Sequence, residues 1–398
     1  MKNTNTKKLI LAYSGGLDTS YCVKYFTQEL GYDVHAVSVN TGGFSPAEIQ
    51  KNKEKALALG ATSYTNIDAV TQFYDTVVKY LIFGNVLKNN AYPLSVSAER
   101  IVQALELVKY AKAHQADYIA HGSTGAGNDQ VRFDLIFQTL APEIEIITPI
   151  RDQSLSRKAE IQYLKDAGID WSWEQAQYSI NQGLWGTSVG GAETLTSDQP
   201  LPETAFPNQL KATISQTISI YFEKGEAVAL NAQAYTPVAL IEALQRKAAA
   251  YAIGRGMHIG DTIIGIKGRV GFEAAAPIIL LEAHRTLEKH TLSKWQLQHK
   301  EYVAQWYGTH LHEGQYLDPV MRDFEASLAS SQQHVTGTVN ITLYPYRFTV
   351  DGISSPNDLM QSKVASYGEE NTGWTADDAK GFIKILGNQG KIINAITK

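Results

Sequence analysis

The stretch from Lys8 to Leu30 restricts the fold more than any other part of the chain. Lys8 to Tyr13 is a short apolar run suited to a buried parallel strand. It passes through Ser14-Gly15-Gly16 into Thr19 to Leu30, where Val23, Phe26 and Leu30 recur at helical spacing and Gly31 is placed to end the helix. A strand that turns through two glycines into a helix brings free backbone N–H groups to the carboxyl end of a sheet. Open parallel sheets bind their ligands there, and a helix start favours an anion.

The alternation continues. Asp33 to Val39 reads as a second strand. Ser45-Pro46-Ala47-Glu48 combines a Ser N-cap, Pro at the first helical position and Glu three residues after the cap, predicting a helix to Leu59 with Gly60 past its end. Ser63 to Ile67, Asp117 to Ala120 and Glu143 to Thr148 are further strands, and Ile101, Leu105 and Val108 share one helix face. The pattern predicts an α/β domain over residues 1–170, a parallel-sheet nucleotide-binding domain with helices on both sides.

Beyond about residue 170 the pattern changes to a second α+β domain, assigned to 171–360. Gln199-Pro200-Leu201-Pro202 reads as a connector. Pro237 to Ala252 reads as a helix capped by Thr236, and Thr336 to Val350 as a strand pair turned at Tyr344-Pro345. Residues 361–398 are assigned to a C-terminal helical arm for oligomerisation, with Asp377 to Ile396 as a helix or extended segment reaching a neighbouring subunit.

Composition narrows the function. The chain has 398 residues, 44% of them apolar and 19% charged, which suits a folded multi-domain protein. No run reaches the length of a membrane-spanning helix. The N-terminus lacks the apolar region of a secretory signal, and the single cysteine, Cys22, rules out an internal disulfide framework. The expected compartment is the cytoplasm. With a net charge of -5 there is no basic excess for gripping a nucleic-acid backbone.

Two motifs carry chemistry. The first, Ala12-Tyr13-Ser14-Gly15-Gly16-Leu17-Asp18-Thr19-Ser20, offers backbone donors and hydroxyls to a phosphate or pyrophosphate. It lacks the lysine of a G-x-x-x-x-G-K-[ST] loop and is not G-x-G-x-x-G. The second, His121-Gly122-Ser123-Thr124-Gly125-Ala126-Gly127-Asn128-Asp129-Gln130-Val131-Arg132-Phe133, follows another strand and would form a second wall of the same crevice. An Arg to grip a carboxylate, an Asp for an ammonium and neutral donors suit an amino-acid ligand.

The first motif resembles the pyrophosphate loop of the ATP pyrophosphatase superfamily. Together with the second it resembles the signature of the argininosuccinate synthase family. That resemblance implies ATP-dependent condensation of L-citrulline with L-aspartate through a citrullyl-AMP intermediate. The products would be argininosuccinate, AMP and pyrophosphate, in arginine biosynthesis, with Mg2+ accompanying ATP and a homotetramer as the assembly. It assigns ATP contacts to Ala12 through Ser20 (Ala12, Tyr13, Ser14, Gly15, Gly16, Leu17, Asp18, Thr19 and Ser20), with Val39 and Gly122. Citrulline contacts fall to Tyr92, Ser97, Asn128, Arg132, Ser179 and Ser188. Aspartate contacts fall to Thr124, Asn128 and Asp129. No side-chain nucleophile is required, and the metal ligands stay unassigned.

The chain also departs from the family. Asn181 and Gly183 replace an Asp and an Asn common in relatives. Phe272 stands for a citrulline-contacting Tyr and Gly260 for a Glu, with Asp261 and Glu273 nearby as substitute carboxylates. Ala126 stands for a Lys in some relatives. Three rivals share the first loop. A tRNA-thiolating ligase would need a cysteine pair. A glutamine-dependent synthetase would need an amidotransferase nucleophile, commonly a cysteine, and Cys22 has no companion. A catalytically silent nucleotide-binding protein has only the departures at Gly260 and Phe272 in its favour.

Overall fold

The computed structural model of the chain describes residues 6–169, 171, 178–364 and 373–397. The boundary expected at 170/171 and the start of the expected arm at 361–372 fall partly outside them.

Strand β1 (Lys8–Ala12) enters the loop that starts α1 (Leu17–Gln28). Then follow β2 (Asp33–Asn40), α2 (Pro46–Ala58), β3 (Ser63–Asp68), α3 (Ser95–Ala113), β4 (Tyr118–Ala120), α4 (Asp129–Leu140), β5 (Glu145–Ile147) and α5 (Arg157–Asp166). The five strands form a sheet in the order β3-β2-β1-β4-β5, parallel throughout. The order reverses at β1, so the crevice between the loops after β1 and β4 lies at the switch point of the sheet, where such sheets bind ligands.

Residues on β1 alternate between two cores. Leu9 and Leu11 pack with Cys22, Val23 and Phe26 of α1, while Ile10 packs with Val37, Ile101 and Ile119. All are essentially sealed from solvent, and each such side chain contributes about 1.5–3 kcal/mol on burial. Cys22 is fully buried, and that burial pushes its thiol pKa well up. The predicted start of α2 is present: Ser45 Oγ accepts from Glu48 N–H, and the Glu48 carboxylate accepts from Ser45 N–H at 2.8 Å. Such a cap adds roughly 1 kcal/mol.

The rest of the chain builds two antiparallel sheets. A four-stranded sheet, ordered β11-β12-β7-β6, comprises β6 (Ser179–Gly183), β7 (Gly186–Gly190), β11 (Arg255–Asp261) and β12 (Lys267–Glu273). A five-stranded sheet, ordered β10-β9-β8-β13-β14, comprises β8 (Gln216–Glu223), β9 (Glu226–Leu230), β10 (Gln233–Ala234), β13 (Gly337–Tyr344) and β14 (Arg347–Ser354). Helix α6 (Pro237–Ala249) carries the expected Thr236 cap, bonded to Ala239 N–H. Helices α7 (Ala275–Thr291), α8 (Lys294–His312) and α9 (Val320–Ser331) complete this part.

One apolar cluster runs from Ile10 and Val37 of the parallel sheet to Ile341 of the second part, so the two share a core. Helices α10 (Ala376–Leu386) and α11 (Asn388–Ile396) bury none of their residues and leave Phe382, Ile383, Ile385, Leu386, Ile392 and Ile393 exposed. Among the described residues no helix is long and apolar enough to cross a membrane.

Candidate active site

The loop after β1 is held from within. Gly15 has φ +77°, which a side chain resists, and the ideal Cβ position there lies 2.1 Å from Asn52 Oδ1. Asn52 Nδ2 donates to Ser14 O at 3.5 Å and Lys55 Nζ to Gly15 O at 3.4 Å, both from α2. Gly16 is the residue before α1, and its N–H donates to Ser14 Oγ. The first N–H groups of α1 have no intrahelical acceptors, as in any helix. Ser20 is buried at 0% exposure with its hydroxyl in the interior, and neither it nor Gly15 lines the cavity. Gly15 shapes the turn.

The loop after β4 faces it. His121 is buried; its Nδ1 accepts from Ser123 N–H, and Nε2 therefore donates to Asp134 at 2.8 Å. This ring is a brace, and Arg151 fixes Asp134 from the other side at 2.6 Å. Helix α4 then presents Asp129 and, one turn on, Arg132. Asn128 Oδ1 accepts from Ile263 N–H at 2.9 Å, pinning the turn between β11 and β12 over the crevice.

A cavity of about 850 Å3 lies between these walls, a size suited to small-molecule ligands. Ala12, Tyr13, Ser14, Gly16, Leu17, Asp18, Thr19, Val39 and Gly122 line one end. Tyr92, Ser97, Thr124, Asn128, Asp129, Arg132, Ser179 and Ser188 line the remainder, so all the expected contacts but Ser20 and Gly15 meet in one space. The second part of the chain closes it: the β6–β7 hairpin supplies Ser179, Asn181 and Ser188, and Trp185 Nε1 donates to Pro93 O beside Tyr92.

Charge is arranged in a chain. Arg100 donates from Nε to Asp129 Oδ2 at 2.9 Å and from Nη2 to Asn181 Oδ1 at 3.1 Å. Arg132 Nη1 donates to Asp129 Oδ1 at 2.9 Å. Burial favours the neutral acid, but the two guanidinium charges outweigh it and hold the Asp129 pKa below its usual value. Arg132 also donates from Nε and Nη2 to the carbonyl oxygen of His312, at 3.0 and 2.9 Å. The paired fork that the sequence offers to a substrate carboxylate is thus already bound to protein.

His312 is one of four groups the sequence reading passed over, with His258, Arg100 and Glu99. Its Nδ1 lies 3.1 Å from Ser97 Oγ and 3.3 Å from Arg132 Nη2, so Nδ1 is the acceptor and Nε2 carries the hydrogen. Burial, reinforced by the Arg132 and Lys88 charges, pushes its pKa down to about 3. His258 stacks on Tyr92 with ring centres 5.3 Å apart. No local pattern marks the two histidines. Glu99-Arg100, adjacent charges following Ser97 on a helix with an apolar face, was the one signal available.

The departures acquire physical reasons. Gly260 leaves room for His258, whose Nε2 is 2.7 Å from where a Cβ would stand. Phe272 does not line the cavity: it is 4% exposed and packs behind Tyr92, 5.6 Å between ring centres, so it acts on the pocket only through that ring. Glu273 cannot serve as the missing carboxylate. It is 1% exposed and paired with Arg255 and Asn208 away from the cavity. Asp261 does line the cavity, bound to Lys267 at 2.6 Å. Ala126 is exposed and lies off the cavity wall.

Comparison with known proteins decides the family. The arginosuccinate synthase N-terminal HUP domain model matches residues 8–170, and the C-terminal domain model of the same family matches 178–393. The chain belongs to the argininosuccinate synthase family. It is 35% identical over 383 residues to an argininosuccinate synthase of Sulfurisphaera tokodaii, covering 96% of this chain and 97% of that one. Identity is 36% over 386 residues with that of Methanocaldococcus jannaschii, and 37% over 395 with that of Xanthomonas campestris, at the same coverage. As a member of the argininosuccinate synthase family the chain is an ATP-using ligase, and its α/β domain with a parallel sheet is the HUP type of that family.

Proposed function

We propose that the chain joins citrulline to aspartate in two half-reactions, forming argininosuccinate in arginine biosynthesis. In the first, the ureido oxygen of citrulline attacks the α phosphate of ATP, pyrophosphate leaves and citrullyl-AMP remains. In the second, the aspartate amine displaces AMP. The observation that carries this reading is the shared cavity: the phosphate-type loop before α1 and the amphoteric start of α4 face one another across it.

The work of the site is to hold reactants in line and to stabilise the leaving pyrophosphate. Ala12 to Thr19, Val39 and Gly122 would hold ATP. Thr124, Asn128 and Asp129 would hold aspartate, Asp129 meeting its ammonium. Tyr92, Ser97, Asn128, Arg132, Ser179 and Ser188 would hold citrulline. Among the described residues no group of three or more His, Cys, Asp or Glu gathers as a metal site. Mg2+ commonly binds through substrate phosphates, waters and one or two carboxylates, so it fits here as the partner of ATP, adding charge neutralisation when bound. Asp18, on the phosphate-type loop and lining the cavity, would be one such carboxylate. The exposed apolar faces of α10 and α11 support a homotetramer built through this arm, and the single buried cysteine supports a cytoplasmic setting.

The test is release of pyrophosphate from ATP with citrulline and aspartate together and with each omitted. Argininosuccinate formed only when all three are present supports the reading. Pyrophosphate release indifferent to citrulline would overturn it.

A further inference from the structure

The geometry points to Glu99 as the group that takes the proton of the incoming amine in the second half-reaction. This rests on the ligation reading above and adds a residue to it.

Among the described residues five carboxylates line the cavity: Asp18, Glu48, Glu99, Asp129 and Asp261. Four are occupied. Glu48 caps α2, Asp129 lies between two guanidiniums, Asp261 binds Lys267, and Asp18 belongs to the phosphate loop, beside Glu160. Glu99 is 2% exposed, and among the described residues its Oε1 is buried without a hydrogen-bond partner, while Oε2 faces Arg100. Leaving one buried carboxyl oxygen unsatisfied is costly, which marks it as a group to explain.

Its surroundings set its proton affinity. On its own helix Arg100 Nη1 lies 3.8 Å from Oε2. The Asp129 charge of α4 and the Tyr92 phenol of the preceding loop act on it through space, the Thr41 hydroxyl from the loop after β2 hydrogen-bonds to it, and the backbone of Gly183 from the β6–β7 hairpin stands against it. Burial dominates, partly offset by Arg100, and pushes the carboxyl pKa up to about 8. Asp129 anchors an ammonium well but accepts its proton poorly. Glu99, linked to Asp129 through the same guanidinium, has the opposite property, and a base tuned near the working pH is the efficient one.

The step balances as follows. The aspartate ammonium gives one proton to the Glu99 carboxylate and becomes a neutral amine. Its lone pair forms the C–N bond to the ureido carbon, and the C–O bond to AMP breaks, its electron pair leaving on the phosphate oxygen. One further hydrogen of the attacking nitrogen ends on the former imino nitrogen, giving the guanidinium of the product.

The experiment separates the half-reactions in the full-length enzyme and its Glu99→Gln variant. Citrulline-dependent exchange of pyrophosphate into ATP reports the first, without aspartate. Argininosuccinate formation reports both. Hydroxylamine, already neutral at neutral pH, serves as a nucleophile that needs no base. Glu99→Gln is expected to keep the exchange and the hydroxylamine reaction while kcat/KM for aspartate falls by about 100-fold or more. The wild-type rise of that parameter with pH, breaking near pH 8, should flatten in the variant. Equal losses in all three reactions would make Glu99 a structural residue, and unchanged aspartate kinetics would remove it from the reaction. A wild-type enzyme lacking the exchange would instead overturn the ligation reading itself.

Discussion

Gly183 stands directly against Glu99: a Cβ on Gly183 would lie 1.6 Å from Glu99 Oε1 and 2.4 Å from the carboxyl carbon. The backbone of Gly183 lies outside the left-handed region, so what opposes a side chain there is the Glu99 carboxyl and not the backbone conformation. The hairpin residue and the helix residue are thus a matched pair, one lacking a side chain where the other inserts a carboxyl. Gly183→Ala should destabilise the protein by about 1–3 kcal/mol, the usual range for overpacking. Glu99→Ala in the same chain should recover most of that loss. Thermal melts of the two single variants and the double variant check the coupling; additive effects would show that the hairpin simply moves aside.

The two loop glycines should fail differently. Gly15→Ala meets both a positive φ and the Asn52 carboxamide, so its melting temperature should fall along with activity. A Cβ on Gly16 meets only Ser14 Oγ, at 3.4 Å. Gly16→Ala should therefore fold normally yet form little AMP, because the methyl group stands where phosphate approaches. An active Gly16→Ala enzyme would reduce that residue to an ordinary turn.

Arg132→Lys replaces three bonds to His312 and Asp129 with a point charge that cannot reproduce them. The citrulline KM should rise, because His312 and Asp129 lose the fork that positions them, with the ATP KM little changed. Because the same bonds tie α4 to the end of α8, the melting temperature should drop too. Unaltered citrulline kinetics would take Arg132 out of the site.

Phe272→Tyr tests the departure from relatives. A Cβ on Gly256 would lie 2.4 Å from Phe272 Cζ, the atom that would carry the new hydroxyl. The hydroxyl therefore enters packed backbone instead of the cavity, at a cost of about 1–3 kcal/mol. Citrulline binding should be no better. A clear fall in the citrulline KM, with the aspartate KM unchanged, would mean that the ring turns toward the ligand.

Acid stability follows from His312. Its pKa falls from 6.5 in the open chain to about 3 in the fold, so below pH 6.5 the unfolded state takes a proton that the native state refuses. The stability it contributes is full above pH 6.5 and is lost progressively as the pH falls toward 3. His258 and His284 are shifted the same way, chiefly by burial. The melting temperature of His312→Gln should decline less steeply than wild type between pH 6.5 and 4, without becoming flat.

What was legible in the sequence was what short-range physics determines. The β1–loop–α1 unit, the Ser45 capping box, the Thr236 cap and the β13–β14 hairpin each depend on neighbours within a few residues, and each is present. That the two motifs line one cavity follows from the sheet itself, which sets the loops after β1 and β4 side by side. Ser20 lies in the interior and off the cavity wall, because a hydroxyl in the first turn of a helix points inward or outward according to packing. The Arg132 fork meets a backbone carbonyl 180 residues away, a partner that no spacing rule reports. Gly260 makes room for His258, and Phe272 packs behind Tyr92, contacts that spacing along the chain does not report. Long-range partners decide such cases, and a single sequence does not pair them.

Cys22 gives the molecule a built-in reporter. It is the chain's only thiol, sealed in α1 directly behind the phosphate-type loop. A thiol reagent can reach it only when that helix lifts from the sheet, so each labelling event is a count of one local opening. The labelling rate is therefore a clock for the nucleotide end of the cavity, and a ligand that settles on the start of α1 should slow it without any change to the chain.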